Sequence, residues 1–217
     1  MKSDLHHNIK HVRTDYTKHQ LLEDFIDANP FLQFKNWLKE SIDGGNQHAN
    51  AMVLSTVDEN SIPSSRVVLL KDVSHDGFTF FTNYASKKGE DLKKNSHASL
   101  LFFWEALERQ VRIQGNINML PETESEAYFK VRPRDSQIAA WASKQSNIIL
   151  GRNELDTSFA LFENLYNNQE VPKPPYWGGY VLVPTSIEFW QGRANRLHDR
   201  IQYKKGNNNW LIERLSP

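Results

Sequence analysis

Cysteine is absent from this chain of 217 residues. That excludes disulfides, thiol nucleophiles and cysteine-ligated zinc or iron–sulfur centres, and it accords with a reducing compartment. Net charge is absent too. The 26 Lys and Arg balance 26 Asp and Glu, so no global field draws in a polyanion such as nucleic acid, and any basic site has to be local. No stretch approaches the roughly twenty apolar residues of a membrane span, and residues 1–7 carry no apolar segment of the kind a secretion signal needs. The expectation is a cytoplasmic protein that engages neither membrane nor nucleic acid. Missing as well are an internal repeat, a glycine-rich phosphate loop, and any serine placed near a histidine and an orienting carboxylate.

What is present is a hydrophobic fraction of 39% with 12% aromatic residues, enough for one sizeable core. Residues 1–19 are polar and aperiodic, which predicts a mobile arm ahead of a single domain at 20–217. His6, His7, His11 and His19 fall in or at the end of that arm and read as a solvated tail rather than a metal site. Asn29-Pro30 starts a helix whose apolar stripe is Phe31, Phe34, Leu38 and Ile42, and Gly44-Gly45 stops it. Strands are predicted at 51–57, 62–73, 78–82, 97–104 and 109–120. After the rigid connector Pro172-Lys173-Pro174-Pro175 they resume at 177–184, 186–191, 198–203 and 210–214. Short helices are predicted at 86–94, 121–131, 134–142 and 154–167. Strands arriving as hairpins with few long helices favour a mainly β, α+β architecture built on an antiparallel barrel.

Four clusters could carry chemistry. The strand from Arg66 to Lys71 begins and ends on a cation, but five positions on a regular strand put the two on opposite faces. They can share a site only through a bulge or by flanking two ligands. Ser86-Lys87-Lys88-Gly89 opens a helix, where free amides, the helix dipole and ammonium groups suit a phosphate; a solvated basic turn would read the same. Tyr128, Arg132 and Ser136 lie around a helix break at Pro133 and could converge on a second anion, although ordinary surface salt bridges are equally compatible. In the C-terminal run, an extended chain would align Arg196, His198 and Arg200 on one face beside Trp190, a row that repels itself unless an anion lies along it. The inventory is rich in phosphate donors and poor in acids, bases and nucleophiles, so any chemistry should come from a bound cofactor.

Taken in order, the segments Arg66-Val67-Val68-Leu69-Leu70-Lys71, Glu108-Arg109-Gln110-Val111-Arg112, Arg132-Pro133-Arg134-Asp135-Ser136, Ala142-Ser143-Lys144-Gln145-Ser146, Trp177-Gly178-Gly179-Tyr180, Glu188-Phe189-Trp190-Gln191-Gly192 and Arg196-Leu197-His198-Asp199-Arg200 resemble the pyridoxamine 5′-phosphate oxidase family. The resemblance runs from about Asn29 to the C-terminus. It implies an FMN-binding split β-barrel of antiparallel Greek-key type, a homodimer with FMN at the subunit interface, and no metal. The implied activity, in vitamin B6 biosynthesis and salvage, oxidises pyridoxamine 5′-phosphate and pyridoxine 5′-phosphate to pyridoxal 5′-phosphate. Dioxygen is the acceptor, and the products are hydrogen peroxide and, from the amine, ammonia. The implied flavin contacts are Arg66, Val67, Val68, Leu69, Leu70, Lys71, Phe81, Thr82, Lys87, Lys88, Gln110, Gln145, Ser146, Trp190 and Arg200. The implied substrate contacts are Lys71, Tyr128, Arg132, Ser136, Arg196 and His198, with Arg13 and Tyr16 of the arm closing over them. Arg196 and His198 are the implied catalytic pair, orienting the substrate and assisting proton removal. One departure stands out: where the family commonly has an acidic residue and proline, this chain has His48-Ala49-Asn50.

Overall fold

A computed structural model describes residues 15–207 and 209–217. Arg13, His6, His7 and His11 lie outside the described residues. Among the described residues nine strands form one sheet: β1 (Ala51–Val57), β2 (Pro63–Leu69), β3 (Asp72–Val73), β4 (Phe78–Asn83), β5 (His97–Trp104), β6 (Arg109–Met119), β7 (Trp177–Gln191), β8 (Asp199–Lys205) and β9 (Trp210–Arg214). Every pairing is antiparallel, in the order β2-β1-β5-β6-β7-β4-β3, with β8 bridging β7 and β9. The 15-residue β7 is the spine: β6 runs along one side, while on the other Trp177–Leu182 pairs β4 and Ser186–Gln191 pairs β8. The sheet curls until β2 lies against β4 without being paired to it. This unpaired seam splits the barrel.

Alternation sends Met52, Leu54, Leu100, Phe102, Trp104, Val111, Ile113, Ile187 and Phe189 to the inner face, all 1% exposed or less. Helix α1 (Pro30–Asp43) plugs that interior. The Asn29 side chain accepts from the Phe31 N–H at 2.9 Å, and Pro30 occupies the first turn, where its missing N–H costs nothing. Phe34 meets Phe78 and Phe102 with ring centroids 4.9 Å apart, and Trp37 meets Phe189 at 5.2 Å. The predicted stripe is corrected at its end: Ile42 is 55% exposed, and Trp37 and Ser41 are buried instead.

Two strand boundaries differ from expectation for identifiable reasons. The predicted strand 62–73 breaks at Leu70, whose N–H donates to Asn50 O at 2.8 Å while Lys71 N–H donates to Thr79 O at 2.8 Å. The chain thus crosses from the β1 side of the seam to the β4 side. Conversely, the break predicted at Thr185, just after Pro184, is absent. Pro184 sits opposite Gly115 where the β6–β7 register shifts, a bulge that relieves proline of its ladder bond.

The remaining helices are α2 (Lys87–Lys94), α3 (Glu122–Lys130), α4 (Arg134–Ala142) and α5 (Arg152–Leu165). A second small core of Phe129, Ile138, Val171 and Trp177 pins α3 and α4 to the start of β7. Among the described residues no helix is long and apolar enough to cross a membrane, and no group of three His, Asp or Glu could hold a metal ion.

Candidate active site

The seam opens into a cleft of about 700 Å³. From β2 and the step after it come Arg66, Val67, Val68, Leu69 and Lys71. β4 gives Phe81 and Thr82, α2 gives Lys88, and the α3–α4 turn gives Tyr128, Arg132 and Ser136, with Gln145 closing one end. Among the described residues four cations line this space, and none of the lining residues is an aspartate or glutamate. The step at Leu70–Lys71 resolves the geometric conflict between Arg66 and Lys71, because the chain leaves the strand between them.

Local structure fixes each donor. Arg66 Nη1 donates to Thr56 Oγ1 at 2.8 Å and Nη2 to Ser64 Oγ at 2.9 Å, residues that face each other in the β1–β2 register. Behind them the buried Asp91 carboxylate accepts from Thr56 Oγ1 at 2.8 Å and from Lys87 Nζ at 2.8 Å, with Arg66 Nη2 4.0 Å away. Ser86 caps α2, and the buried Lys88, a residue 9% exposed, donates from Nζ to Gln145 Oε1 at 2.5 Å and to Ser86 Oγ at 3.1 Å. Burial first, and the neighbouring Arg66 charge second, pull the Lys88 ammonium down to about 8. An anion bound beside the ammonium would favour its charged form and so oppose this lowering.

At the other corner Phe81 stacks on Tyr128 at 4.0 Å and on Trp177 at 5.4 Å, a ladder worth about 0.5–1.5 kcal/mol per pair beyond its buried area. The Arg132 guanidinium lies 4.6 Å from the Trp177 ring centroid. Its Nη1 is buried with no hydrogen-bond partner among the described residues. An unsatisfied buried donor costs about 1–3 kcal/mol, and burial also lowers the guanidinium's proton affinity, opposed by Tyr128. Cations from Arg66, Lys71 and Lys88, the Tyr128 and Ser136 hydroxyls and the orphaned Arg132 nitrogen make a donor set of the kind that suits phosphate groups.

The rest of the expected site stands elsewhere. Gln110, Trp190 and Arg200 lie in register on β6, β7 and β8, on the outer face of the sheet. Trp190 and Trp177 are 13 positions apart on one continuous strand, roughly 40 Å of chain path. None of Tyr16, Gln110, Trp190, Arg196, His198 and Arg200 lines the seam cleft.

The extended row Arg196–His198–Arg200 is corrected. Residues Ala194–Arg196 form a 3-10 turn with left-handed φ of 58° at Asn195 and 61° at Arg196, and β8 begins at Asp199. Arg196 projects from an exposed turn. The anion along the row is supplied by the chain itself: Glu188, 3% exposed, accepts from Arg200 Nε at 2.9 Å and Nη2 at 3.2 Å, and from Arg112. His198 packs against Trp190 at 4.7 Å and Tyr16 at 5.8 Å. Its Nδ1 accepts the Arg193 N–H at 3.1 Å. Burial, then Arg196, lower its proton affinity against the pull of Asp199. As acceptor of that N–H, Nδ1 carries no proton, which leaves the ring N–H on Nε2.

Leu70 is 5% exposed and belongs to the core. Lys87 turns to Asp91 and Asp58 instead of the cleft, and Ser146 is exposed beyond its lining, with a left-handed φ of 74°. Sequence reasoning missed Thr56, Ser64 and Asp91. The hairpin register could have offered Thr56 and Ser64, whereas Asp91 is tied in by a contact spanning 35 positions.

A split antiparallel barrel whose seam is a carboxylate-free, four-cation cleft defines a split-barrel protein equipped for phosphorylated ligands. Residues 38–166 match the family profile of pyridoxamine 5′-phosphate oxidase, and residues 177–217 match that of the pyridoxine 5′-phosphate oxidase C-terminal dimerisation region. The chain is 48% identical over 210 residues to the pyridoxine/pyridoxamine 5′-phosphate oxidase of Acaryochloris marina, covering 97% of this chain and 96% of that one. It is 51% identical over 206 residues to that of Actinobacillus succinogenes, covering 95% and 98%. Among solved structures, PhzG from Burkholderia lata, in complex with tetrahydrophenazine-1-carboxylic acid, superposes with a TM-score of 0.86 at 28% identity, covering 93% of this chain and 100% of that one. A pyridoxamine 5′-phosphate oxidase-related, FMN binding protein from Nostoc punctiforme shares the fold with a TM-score of 0.69 at 14% identity, covering 88% and 100%. The chain belongs to the pyridoxine/pyridoxamine 5′-phosphate oxidase family.

Proposed function

We propose that this chain oxidises pyridoxamine 5′-phosphate and pyridoxine 5′-phosphate to pyridoxal 5′-phosphate with FMN as cofactor, and that each active site is built by two copies of the chain. The observation that carries this is the seam cleft, where two groups of phosphate donors share one cavity with no lining carboxylate to neutralise them. Arg66, Lys88 and the α2 N-terminus would hold the cofactor phosphate. Tyr128, Arg132 and Ser136 would hold that of the substrate, with Lys71 between the two. The bound flavin supplies hydride acceptance and reoxidation by dioxygen, which yields peroxide.

The chain's own contribution is placement. The Phe81–Tyr128–Trp177 ladder makes one dry wall, and Arg132 is held against it by ring faces. His198 presents Nε2–H as a donor, so its part is to orient the substrate rather than to take its proton, and Arg196 beside it adds charge. One chain cannot bring that end of β7 to its own seam. A two-fold partner can, and residues 177–217, which carry Trp190, Arg196, His198 and Arg200, are the segment matching the dimerisation region. At the cleft rim Val67 is 67% exposed and Leu69 44%, and Phe103 on β5 is 52% exposed, apolar side chains suited to burial against a second copy.

Purified protein should be yellow and should release peroxide when mixed with pyridoxamine 5′-phosphate in air, above a substrate-free control. Protein that stays colourless and does not take up added FMN would overturn the cofactor assignment. Flavin-loaded protein that gives no peroxide would overturn the substrate assignment.

A further inference from the structure

Residues 15–27 run as a strap over the ends of β7 and β8, and a single carboxylate ties the strap to the turn that carries His198. Asp199 Oδ2 accepts from Leu21 N at 3.1 Å and from Arg193 Nη1 at 3.1 Å, and Oδ1 accepts from Arg214 Nη1 at 3.0 Å. Arg214 then grips the strap directly. Its Nη2 donates to Leu21 O at 2.8 Å and to Glu23 Oε2 at 2.8 Å, and its Nε donates to Glu23 Oε1 at 2.6 Å. From the same hub the chain of contacts reaches the site, since the backbone N–H of Arg193 is the donor that fixes His198 Nδ1.

The strap ends on that histidine. Tyr16 lies edge-on to Trp190 at 5.7 Å and 5.8 Å from His198. It is seated over Gly192, where a Cβ would stand 2.6 Å from its Cγ. Lys18 anchors the segment between Tyr16 and Leu21, through its N–H to Glu108 Oε2 at 3.1 Å and its Nζ to Ala106 O at 2.7 Å.

We infer that Asp199, acting with Arg214, is a positioning residue that latches the strap to the His198 turn, so that Tyr16 and His198 are held as one substrate-facing unit. The inference rests on the proposed role of His198 in substrate contact, but its first test does not. The latch spans three separated parts of the chain, and neither Asp199 nor Arg214 faces the seam cleft. Its loss should therefore free the strap without emptying the cofactor pocket.

In Asp199→Ala, trypsin should cut after Lys18 roughly tenfold faster than in the unmodified holoprotein, because local opening, not global unfolding, then exposes that bond. The same variant should raise KM for pyridoxamine 5′-phosphate roughly tenfold while changing kcat less, and it should keep its flavin. Glu23→Gln, a surface change that cuts the outer pair alone, should move both readouts in the same direction by a smaller factor, and it serves if Asp199→Ala does not fold. Gly192→Ala should raise KM by displacing Tyr16 while leaving the Asp199 pairs in place. Unchanged cleavage at Lys18 and unchanged KM in folded Asp199→Ala, or in Glu23→Gln if that variant is used, would overturn the latch. A higher KM in Gly192→Ala alone would show that Tyr16 matters and the latch does not. Faster cleavage in a protein that never produces peroxide would leave the latch standing and sink the oxidase reading.

Discussion

The seam cleft and the outer end of β7–β8 are both rich in arginine, yet they treat that charge in opposite ways. In the cleft, Lys71, Lys88 and Arg132 face a space with no carboxylate among its described lining residues, and Arg66 has Asp91 only at 4.0 Å behind it. At the β7–β8 end the cations are satisfied internally: Arg112 and Arg200 by Glu188, Arg193 and Arg214 by Asp199. The cleft gathers cations around an open space, whereas the outer end pairs its cations with carboxylates and presents aromatic rings and one imidazole. A count of arginines along the sequence does not distinguish the two. Where the carboxylates fall does.

The sharpest way to break this contrast is to remove charge from each side. Arg66→Ala combined with Lys88→Ala should weaken FMN binding by roughly 100-fold or more, read by flavin fluorescence quenching, since each charge-assisted contact is worth about 1.5–3 kcal/mol. His198→Ala should leave FMN affinity within about threefold but lower peroxide production roughly 100-fold, as loss of a substrate-orienting group does. Equal effects of the two changes on flavin binding would erase the distinction.

On the scaffold side, Glu188→Gln strands two guanidiniums around a buried position and should cost about 2–3 kcal/mol in chemical denaturation, less than a fully buried pair because Arg112 is 42% exposed. A loss within experimental error would mean that the pairs there contribute no rigidity. The smallest expected effect concerns pH. The Lys88 ammonium of the free protein, pulled down to about 8 by burial and by Arg66, regains affinity for its proton beside a phosphate. FMN binding therefore takes up a proton above pH 8, and its affinity should fall by up to about tenfold between pH 7 and pH 9. Lys88→Arg should flatten that dependence.

Much of the barrel was legible because its signals are local. The alternation on β6, the 97–104 and 210–214 strands and the α4 helix sit where period and capping put them. Failures came where a distant partner decided the outcome. Leu70 leaves the strand because Asn50, twenty positions back, takes its N–H, and Pro184 stays in β7 because Gly115 opposite supplies a bulge. For the site, the residue types in the cleft could be read from the chain, but their assembly depends on how the sheet closes. Arg196 escaped because a left-handed arginine carries no sequence mark of the kind glycine does. Glu188 was visible as part of a motif, yet its clamp on two arginines exists only in the cross-strand register of β6, β7 and β8.

The division of one active site between two chains is tested most directly by mixing two inactive variants, Arg132→Ala from the cleft and His198→Ala from the outer end, after dissociation and reassociation. Random pairing makes half of the dimers mixed, each with one intact site of two, so peroxide production should recover to about one quarter of the unmodified protein. Mixed dimers that form but show no more activity than either variant alone would mean that both residues serve the same chain's site.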